Sequence, residues 1–314
     1  MKVALVAFGG NAILRAEERG LQEEQLRNAE DACRRLVEVI RQGHEMVIVH
    51  GNGPQVGNIW IQMQEAATKV PPFTLDVCGA MSEGSMGYML QRSLLNQLRL
   101  QGIQKGVVTL ITQVVVDPND PLFNEPTKPV GPFYPPYLAE WFRREKGWHM
   151  VEDSGRGWRK VVPSPRPIQV EEEEVIRRLL EAGSVVIAAG GGGIPVYLTK
   201  EGQLEGIEAV IDKDRTASLL ARSIRAELFI ILTQVPQVYL HYGTPRQEAL
   251  QELSVGQARE YLRQGEFPPG SMGPKIESAI EFIEARGGEV LITSVEELGA
   301  ALRGEGGTRI FKGG

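Results

Sequence analysis

Lys213 and Lys275 each fall in the first turn of a segment with helical periodicity. In residues 206–225, GIEAVIDKDRTASLLARSIR, the residues Ala217, Leu220, Ala221 and Ile224 recur at the spacing of one buried helix face. Asp212 is placed to cap that helix, its carboxylate accepting from the N–H groups two and three residues on. In residues 268–286, PPGSMGPKIESAIEFIEAR, an equivalent stripe comprises Ile276, Ala279, Ile280 and Ile283, and Pro274 suits the first helical position. A helix N-terminus carries partial positive charge, so the dipole opposes a lysine there. An anion bound at the same end would reverse that cost. The competing reading is an exposed lysine steadied by Asp212 and Asp214. Only ten of the 34 Lys+Arg are lysines, and two of those ten open helices beside turn motifs, which favours the anion site.

A third cation stands in a different setting. Lys128 lies between prolines in Pro126-Thr127-Lys128-Pro129, a stiff extended segment. Its side chain therefore has a defined root. It reads either as a surface lysine in a rigid loop or as a positive group on a flap that closes over a substrate.

These cations need partners that hold an anion, and glycine turns supply them. Three apolar runs end in such turns: Lys2 to Phe8 before Gly9-Gly10-Asn11, Met46 to Val49 before His50-Gly51-Asn52-Gly53, and Val185 to Ala189 before the glycines 190–193. Glycine lets backbone N–H groups converge on one anion. Any one of these turns is explained equally well by sterics at a strand-to-helix junction; three together favour a phosphate cradle. Phosphoryl transfer needs such parts, positioning and charge neutralisation, with little covalent work by the protein. No G-x-x-x-x-G-K-[ST] loop, no complete G-x-G-x-x-G and no G-x-S-x-G elbow is present. An acceptor that is already an anion would need no general base.

The elements that must position these groups alternate. Helical stripes follow at Leu26 to Ile40, from the turn after His50 to about Lys69, and from Asp76 to Leu100; further strands read at Val107 to Val116, Leu228 to Leu232 and Val290 to Thr293. A final helix is expected from about Ser294 and an edge strand at Thr308 to Phe311. The alternation predicts an α/β fold: an open αβα sandwich around a mostly parallel central sheet. Ligands bind outside the carboxyl ends of such strands. Residues 117–167 differ, holding ten of the 19 prolines. They read as a Pro-rich projecting β-hairpin subdomain, with strands at 148–152 and 158–162.

Composition bounds the function. The chain has 314 residues, 42% hydrophobic and 24% charged, with a net charge of -6. That acidity argues against a general nucleic-acid or anionic-membrane binder. Cys33 and Cys78 have no metal-ligand spacing and read as buried thiols. The four histidines show no metal-binding pairing. Glu171 to Glu174 read as a dipole complement on a solvated first turn. With no transmembrane-length run and no signal peptide visible, a cytoplasmic protein is expected.

Several motifs together resemble one family. They are GGNAIL (9–14), HGNGPQVG (50–57), MSEGSMGYML (81–90), NEPTKPVGPFY (124–134), VVPSPRP (161–167), GGGGIPV (190–196), EAVIDKD (208–214) and PGSMGPKIESAI (269–280). In that order they resemble the carbamate kinases of the amino acid kinase family. The resemblance covers nearly the whole chain. It implies a single domain over 1–314 with a flap at 117–167, an acceptor side over about 1–205 and a nucleotide side over about 206–314. It implies a homodimer and the reaction ATP plus carbamate giving ADP plus carbamoyl phosphate, with Mg2+, usually run towards ATP in arginine catabolism.

Carried over by motif, Lys128, Lys213 and Lys275 would neutralise the transferring phosphoryl group, and Asp214 would orient the lysines. Gly9, Gly10, Asn11, Gly51, Asn52 and Gly53 would hold the acceptor and the phosphate. Gln234, Tyr239 and Met272 would join Lys213 and Lys275 on the nucleotide side. Tyr239, in Tyr239-Leu240-His241-Tyr242, reads from its own surroundings as an ordinary loop residue or as part of a base-stacking pocket. No metal ligand is named. Two departures stand out: Gln234 and Gln237 where many family members carry an acidic residue and a glycine, and Gly273 where a larger residue is usual. The rival functions are a kinase of another small carboxylate, such as N-acetylglutamate, and a non-catalytic nucleotide or anion sensor.

Overall fold

The computed structural model describes residues 1–9, 13–14, 18–153, 155, 157–268 and 270–313. Its centre is an eight-stranded sheet. In spatial order the strands are Glu252–Ser254, Thr308–Phe311, Glu289–Ser294, Leu228–Thr233, Lys2–Phe8, His44–His50, Val185–Ile187 and Val107–Thr109. All neighbours are parallel except Glu289–Ser294 with Thr308–Phe311. Period-two alternation divides each central strand between two cores. Val3, Leu5 and Ala7 pack into one layer with the helices Lys213–Ser223 and Met272–Arg286. Ala4, Val6 and Phe8 pack into the other with the helices Gln22–Arg41 and Leu75–Leu100. The αβα sandwich expected from the alternation is the observed architecture.

Several element readings are corrected. Val107 to Val116 is two strands, Val107–Thr109 in the main sheet and Gln113–Val116 in a second, four-stranded sheet. The break falls where Thr112 N–H donates to Glu83 and the Thr112 hydroxyl donates to the Leu110 carbonyl, taking the chain out of the ladder. Thr308–Phe311 is flanked by strands on both sides, so the edge belongs to Glu252–Ser254. The last helix is short, Leu298–Leu302. The Lys275 helix begins at Met272, two residues before Pro274. Proline is still accommodated, because first-turn N–H groups have no intrahelical acceptor. Glu172 is not on a solvated face: its carboxylate accepts from the Gln113 backbone N–H at 2.8 Å and the Gln113 side chain at 3.0 Å.

Within 117–167, Lys128–Tyr134, Trp158–Val162 and Met150–Glu152 form a three-stranded antiparallel sheet in that spatial order. Pro129 and Pro132 lie on its edge strand, where a missing N–H costs no ladder bond. The helix Pro136–Lys146, which the proline content concealed, covers this sheet. Phe142 stacks on Trp148 at 4.3 Å between ring centroids. The segment meets the body along the helix Gly53–Ala66, where a Cβ on Gly57 would lie 1.9 Å from the Gly131 nitrogen. Only glycine permits that approach.

Candidate active site

The helix Lys213–Ser223 starts as the sequence predicts. Asp212 Oδ1 accepts from the Asp214 N–H at 2.9 Å and the Arg215 N–H at 3.3 Å. The other carboxylate oxygen is free for a second task, which the cap reading missed: it accepts from Lys128 Nζ at 2.6 Å. Asp214 takes two lysines, Lys213 Nζ at 2.6 Å and Lys275 Nζ at 2.8 Å, one on each oxygen. The three lysines predicted separately are thus joined through two adjacent aspartates. Asp214 orients only two of them; Asp212 holds the third. Three ammonium groups against two carboxylates leave one net positive charge, a site matched to an anion.

Burial raises the stakes of each pairing. Lys213 is 8% exposed and Asp214 3%. Burial pushes the Asp214 carboxyl up, but Lys213 and Lys275 outweigh it and hold the group below the usual carboxylate range. The Asp212 carboxyl is also lowered: burial opposes this, and Lys128 overcomes it. Burial lowers Lys213, with Lys275 adding to the effect against the opposing pull of Asp214. Burial also acts to lower Lys275, yet Asp214 leaves it raised.

The glycine turns at 51–53 and 190–193 lie beside this centre. Lys2–Phe8, His44–His50 and Val185–Ile187 are consecutive parallel neighbours, so their carboxyl ends share one rim. Gly51 N–H donates to the Phe8 carbonyl at 2.8 Å, tying the second turn to the first strand. Gly9 follows that strand; Gly10 and Asn11 lie outside the described residues. Asn52 is buried at the cap position of the helix Gly53–Ala66, but its amide donates to Ser82 Oγ at 2.7 Å and caps nothing. The first-turn N–H groups of Gly53 and Gln55 are left without an intrahelical acceptor. The glycine turn 190–193 joins the lysine helix directly, since Thr216 Oγ1 donates to the Gly192 carbonyl at 2.8 Å. Gly191 has φ +71°, and a Cβ there would lie 2.0 Å from Asn52 Nδ2. The turn therefore packs backbone-first against the Asn52 turn.

Beneath these turns sit two groups the motif reading left unassigned. His50 is 1% exposed and its ring is lowered to about 4, by burial first, with Lys213 adding and a hydrogen bond to Gly51 opposing. Burial raises the Glu83 carboxyl well above its ordinary value. Its position inside MSEGSMGYML, a polar residue on a helix face that carries Met86 and Leu90 to the core, was the available signal.

Gln234 follows the strand Leu228–Thr233, a parallel neighbour of Lys2–Phe8, and is exposed at the same rim. Gln237 donates to the Gly307 carbonyl at 3.1 Å, a structural use for the residue that departs from the family pattern. Met272 opens the Lys275 helix, partly buried against the core. Tyr239 belongs to a short ribbon of Val238–Leu240 with Glu248–Leu250, not to a loop, and its ring lies 5.9 Å from that of Tyr242. Gly273, the other departure, sits in a tight turn: its N–H donates to the Pro268 carbonyl at 2.9 Å, and a Cβ would crowd that oxygen at 3.0 Å.

Fold and site together define a phosphotransferase scaffold, and the chain belongs to the amino acid kinase family, whose model matches residues 2–294. Within the family it groups with the carbamate kinases. It is 48% identical over 312 residues to the carbamate kinase of Pyrococcus furiosus, covering 99% of each chain. It is 50% identical over 315 residues to that of Staphylococcus haemolyticus, covering 99% of this chain and 100% of the other. The carbamate kinase of Giardia lamblia bound to AMP-PNP superposes with a TM-score of 0.90 at 41% identity, covering 99% of each chain.

Proposed function

We propose that this protein is a carbamate kinase, transferring the γ-phosphoryl group of ATP reversibly to carbamate to give ADP and carbamoyl phosphate. The observation that carries the reading is the joined centre of Lys128, Lys213 and Lys275 on Asp212 and Asp214, beside the glycine turns at 51–53 and 190–193. Full-length identity of 44–50% to curated carbamate kinases supports the same acceptor.

In this reading a carbamate oxygen attacks the γ-phosphorus in line, and the bond to the β-phosphate bridging oxygen breaks. Carbamate is already an anion, so no base removes a proton. The lysines offset charge on the equatorial and leaving oxygens, and charge stabilisation of this kind is usually the largest catalytic contribution. Gly9, Gly10, Asn11, Gly51, Asn52 and Gly53 hold carbamate and the phosphoryl group from the side formed by about 1–205. Gln234, Tyr239, Met272, Lys213 and Lys275 serve ADP or ATP from the side formed by about 206–314. Residues 117–167 act as a flap that brings Lys128 over the acceptor. Mg2+ enters as part of the Mg-ATP substrate. Both Asp212 and Asp214 already accept from lysines, which suits a cation held by phosphates and water.

Homodimer formation, a cytoplasmic location and a role in arginine metabolism belong to the same proposal. Val77, Met81 and Tyr88 are exposed along the helix Leu75–Leu100 and offer an apolar face for a second copy. No helix among the described residues is long and apolar enough to cross a membrane.

The deciding experiment measures ATP formation from ADP and carbamoyl phosphate with Mg2+, in wild type and Lys128→Ala. Wild-type activity that collapses in the variant supports both reaction and flap. Activity that survives in the variant removes Lys128 from the mechanism. No wild-type activity removes carbamate as the acceptor.

A further inference from the structure

Lys160 stands apart from the lysines of the site. It lies on the strand Trp158–Val162, facing the body across a cleft of about 430 Å³. Trp60 and Glu208 line the cleft from the body; Phe123, Trp148 and His149 line it from the flap side. Lys160 Nζ sits 3.3 Å from the Trp60 ring centroid and 5.0 Å from that of Trp148. Those rings are its partners; among the described residues no carboxylate or carbonyl accepts a hydrogen bond from it. Lys105, Lys128, Lys213 and Lys275, by contrast, each hold a carboxylate. Burial lowers the Lys160 amine to about 8, against a weaker opposing pull from Glu208. The result is an amine that gives up its proton more readily than an ordinary lysine, has no carboxylate or carbonyl holding that proton, and opens onto a cleft.

We propose that Lys160 is a carbamoylation site, modified by carbamoyl phosphate, and that the adduct, by removing the ammonium–indole contact and adding bulk to the cleft, unseats the flap from the body. The electrophile rests on the reaction proposed above. The neutral amine attacks the carbonyl carbon and a C–N bond forms. The C–O bond to phosphate breaks, and phosphate leaves with the amine proton. Cyanate, released from carbamoyl phosphate by elimination, delivers the same group by adding the amine N–H across its C–N bond. Both routes end in a neutral, planar urea that needs no oxidant or reductant. The urea removes the cation from between the indoles and adds bulk where the flap meets Trp60. A product that modifies the flap of its own enzyme would limit turnover when it accumulates.

The test exposes the intact protein at pH 8 to carbamoyl phosphate and, in parallel, to potassium cyanate, and follows each lysine by peptide mass mapping. Lys160 should be labelled about tenfold faster than Lys69 or Lys200, the gain in neutral fraction outweighing the lower nucleophilicity of a weaker base. Activity of the wild type should fall in step with Lys160 labelling. Lys160→Arg, which keeps a cation over the indoles, should retain its activity through the same exposure. Faster labelling by carbamoyl phosphate than by the cyanate it releases identifies direct attack; equal labelling identifies cyanate as the carrier. Labelling with no preference for Lys160 overturns the site. Complete Lys160 labelling with undiminished activity overturns its link to the flap. Because labelling requires no turnover, a protein that labels at Lys160 yet makes no ATP from carbamoyl phosphate refutes the proposed function and leaves the site standing.

Discussion

Lys275 Nζ lies 2.8 Å from Asp214 Oδ2, across 61 residues of sequence. The contact fastens the first turn of one helix to the first turn of another, and so sets the spacing between two ammonium groups that share one carboxylate. Removing the carboxylate would leave Lys213 and Lys275 facing each other in a buried site.

Asp214→Asn should therefore lower kcat by about 10²–10³, the scale for losing preorganised charge stabilisation. Asp214 acts against the burial that lowers Lys213. Without it Lys213 falls further, so the protonated, active form is lost at lower pH. The alkaline limb of the kcat profile should move to lower pH in the variant. An unmoved limb would mean that Lys213 does not titrate in the rate.

Lys275→Ala should also cost about 10²–10³ in kcat, measured as ATP formation from ADP and carbamoyl phosphate. Asp214 keeps Lys213 as a partner, so the loss should fall mainly on rate and less on thermal stability. A variant with near-full activity would remove Lys275 from the mechanism.

Gly57→Ala tests how the flap is seated. Its Cβ would lie 1.9 Å from the Gly131 nitrogen and 2.1 Å from the Gly131 Cα, backbone that cannot rotate away. Overpacking of this kind costs about 1–3 kcal/mol. A lowered melting temperature together with reduced activity is expected; an unchanged melt would show that the flap moves off the helix freely.

His50 should make the fold acid-sensitive. Its folded value, about 4, is below the ordinary 6.5, so the unfolded chain binds the extra proton between those limits. Stability then rises with pH across that window and is lost as pH falls through it, by about 3 kcal/mol at most. Glu83 has the opposite sign, because the folded protein keeps its proton as pH rises. Chemical denaturation of wild type and His50→Gln at pH 7 and pH 4.5 should show a smaller loss on acidification in the variant. Parallel losses would assign the acid sensitivity elsewhere.

Much of the site was legible locally. The cap at Asp212, the stripes that follow Lys213 and Lys275, and the glycines after three apolar runs are all short-range patterns, and local backbone physics produces each of them. The helix Pro136–Lys146 was hidden because ten prolines in 117–167 outweigh an eleven-residue periodic stretch. The split of Val107 to Val116 was hidden because its cause, Glu83 accepting from Thr112, comes from a distant helix.

The sequence by itself determined the alternation of strands and helices and singled out Lys213 and Lys275, because period, cap chemistry and turn chemistry act over a few residues; Lys128 stood open between a surface and a flap role until the motif resemblance favoured the second. Only the tertiary structure decided which aspartate each lysine holds. Asp212 and Asp214 are two residues apart and chemically alike, and each could serve any of the three. Asp212 spends one oxygen on its own helix and meets Lys128 with the other, whereas Asp214 is buried between Lys213 and Lys275. That choice follows from how the flap's edge strand and the Met272–Arg286 helix dock around the Lys213–Ser223 helix, a packing outcome carried by residues far apart in the chain.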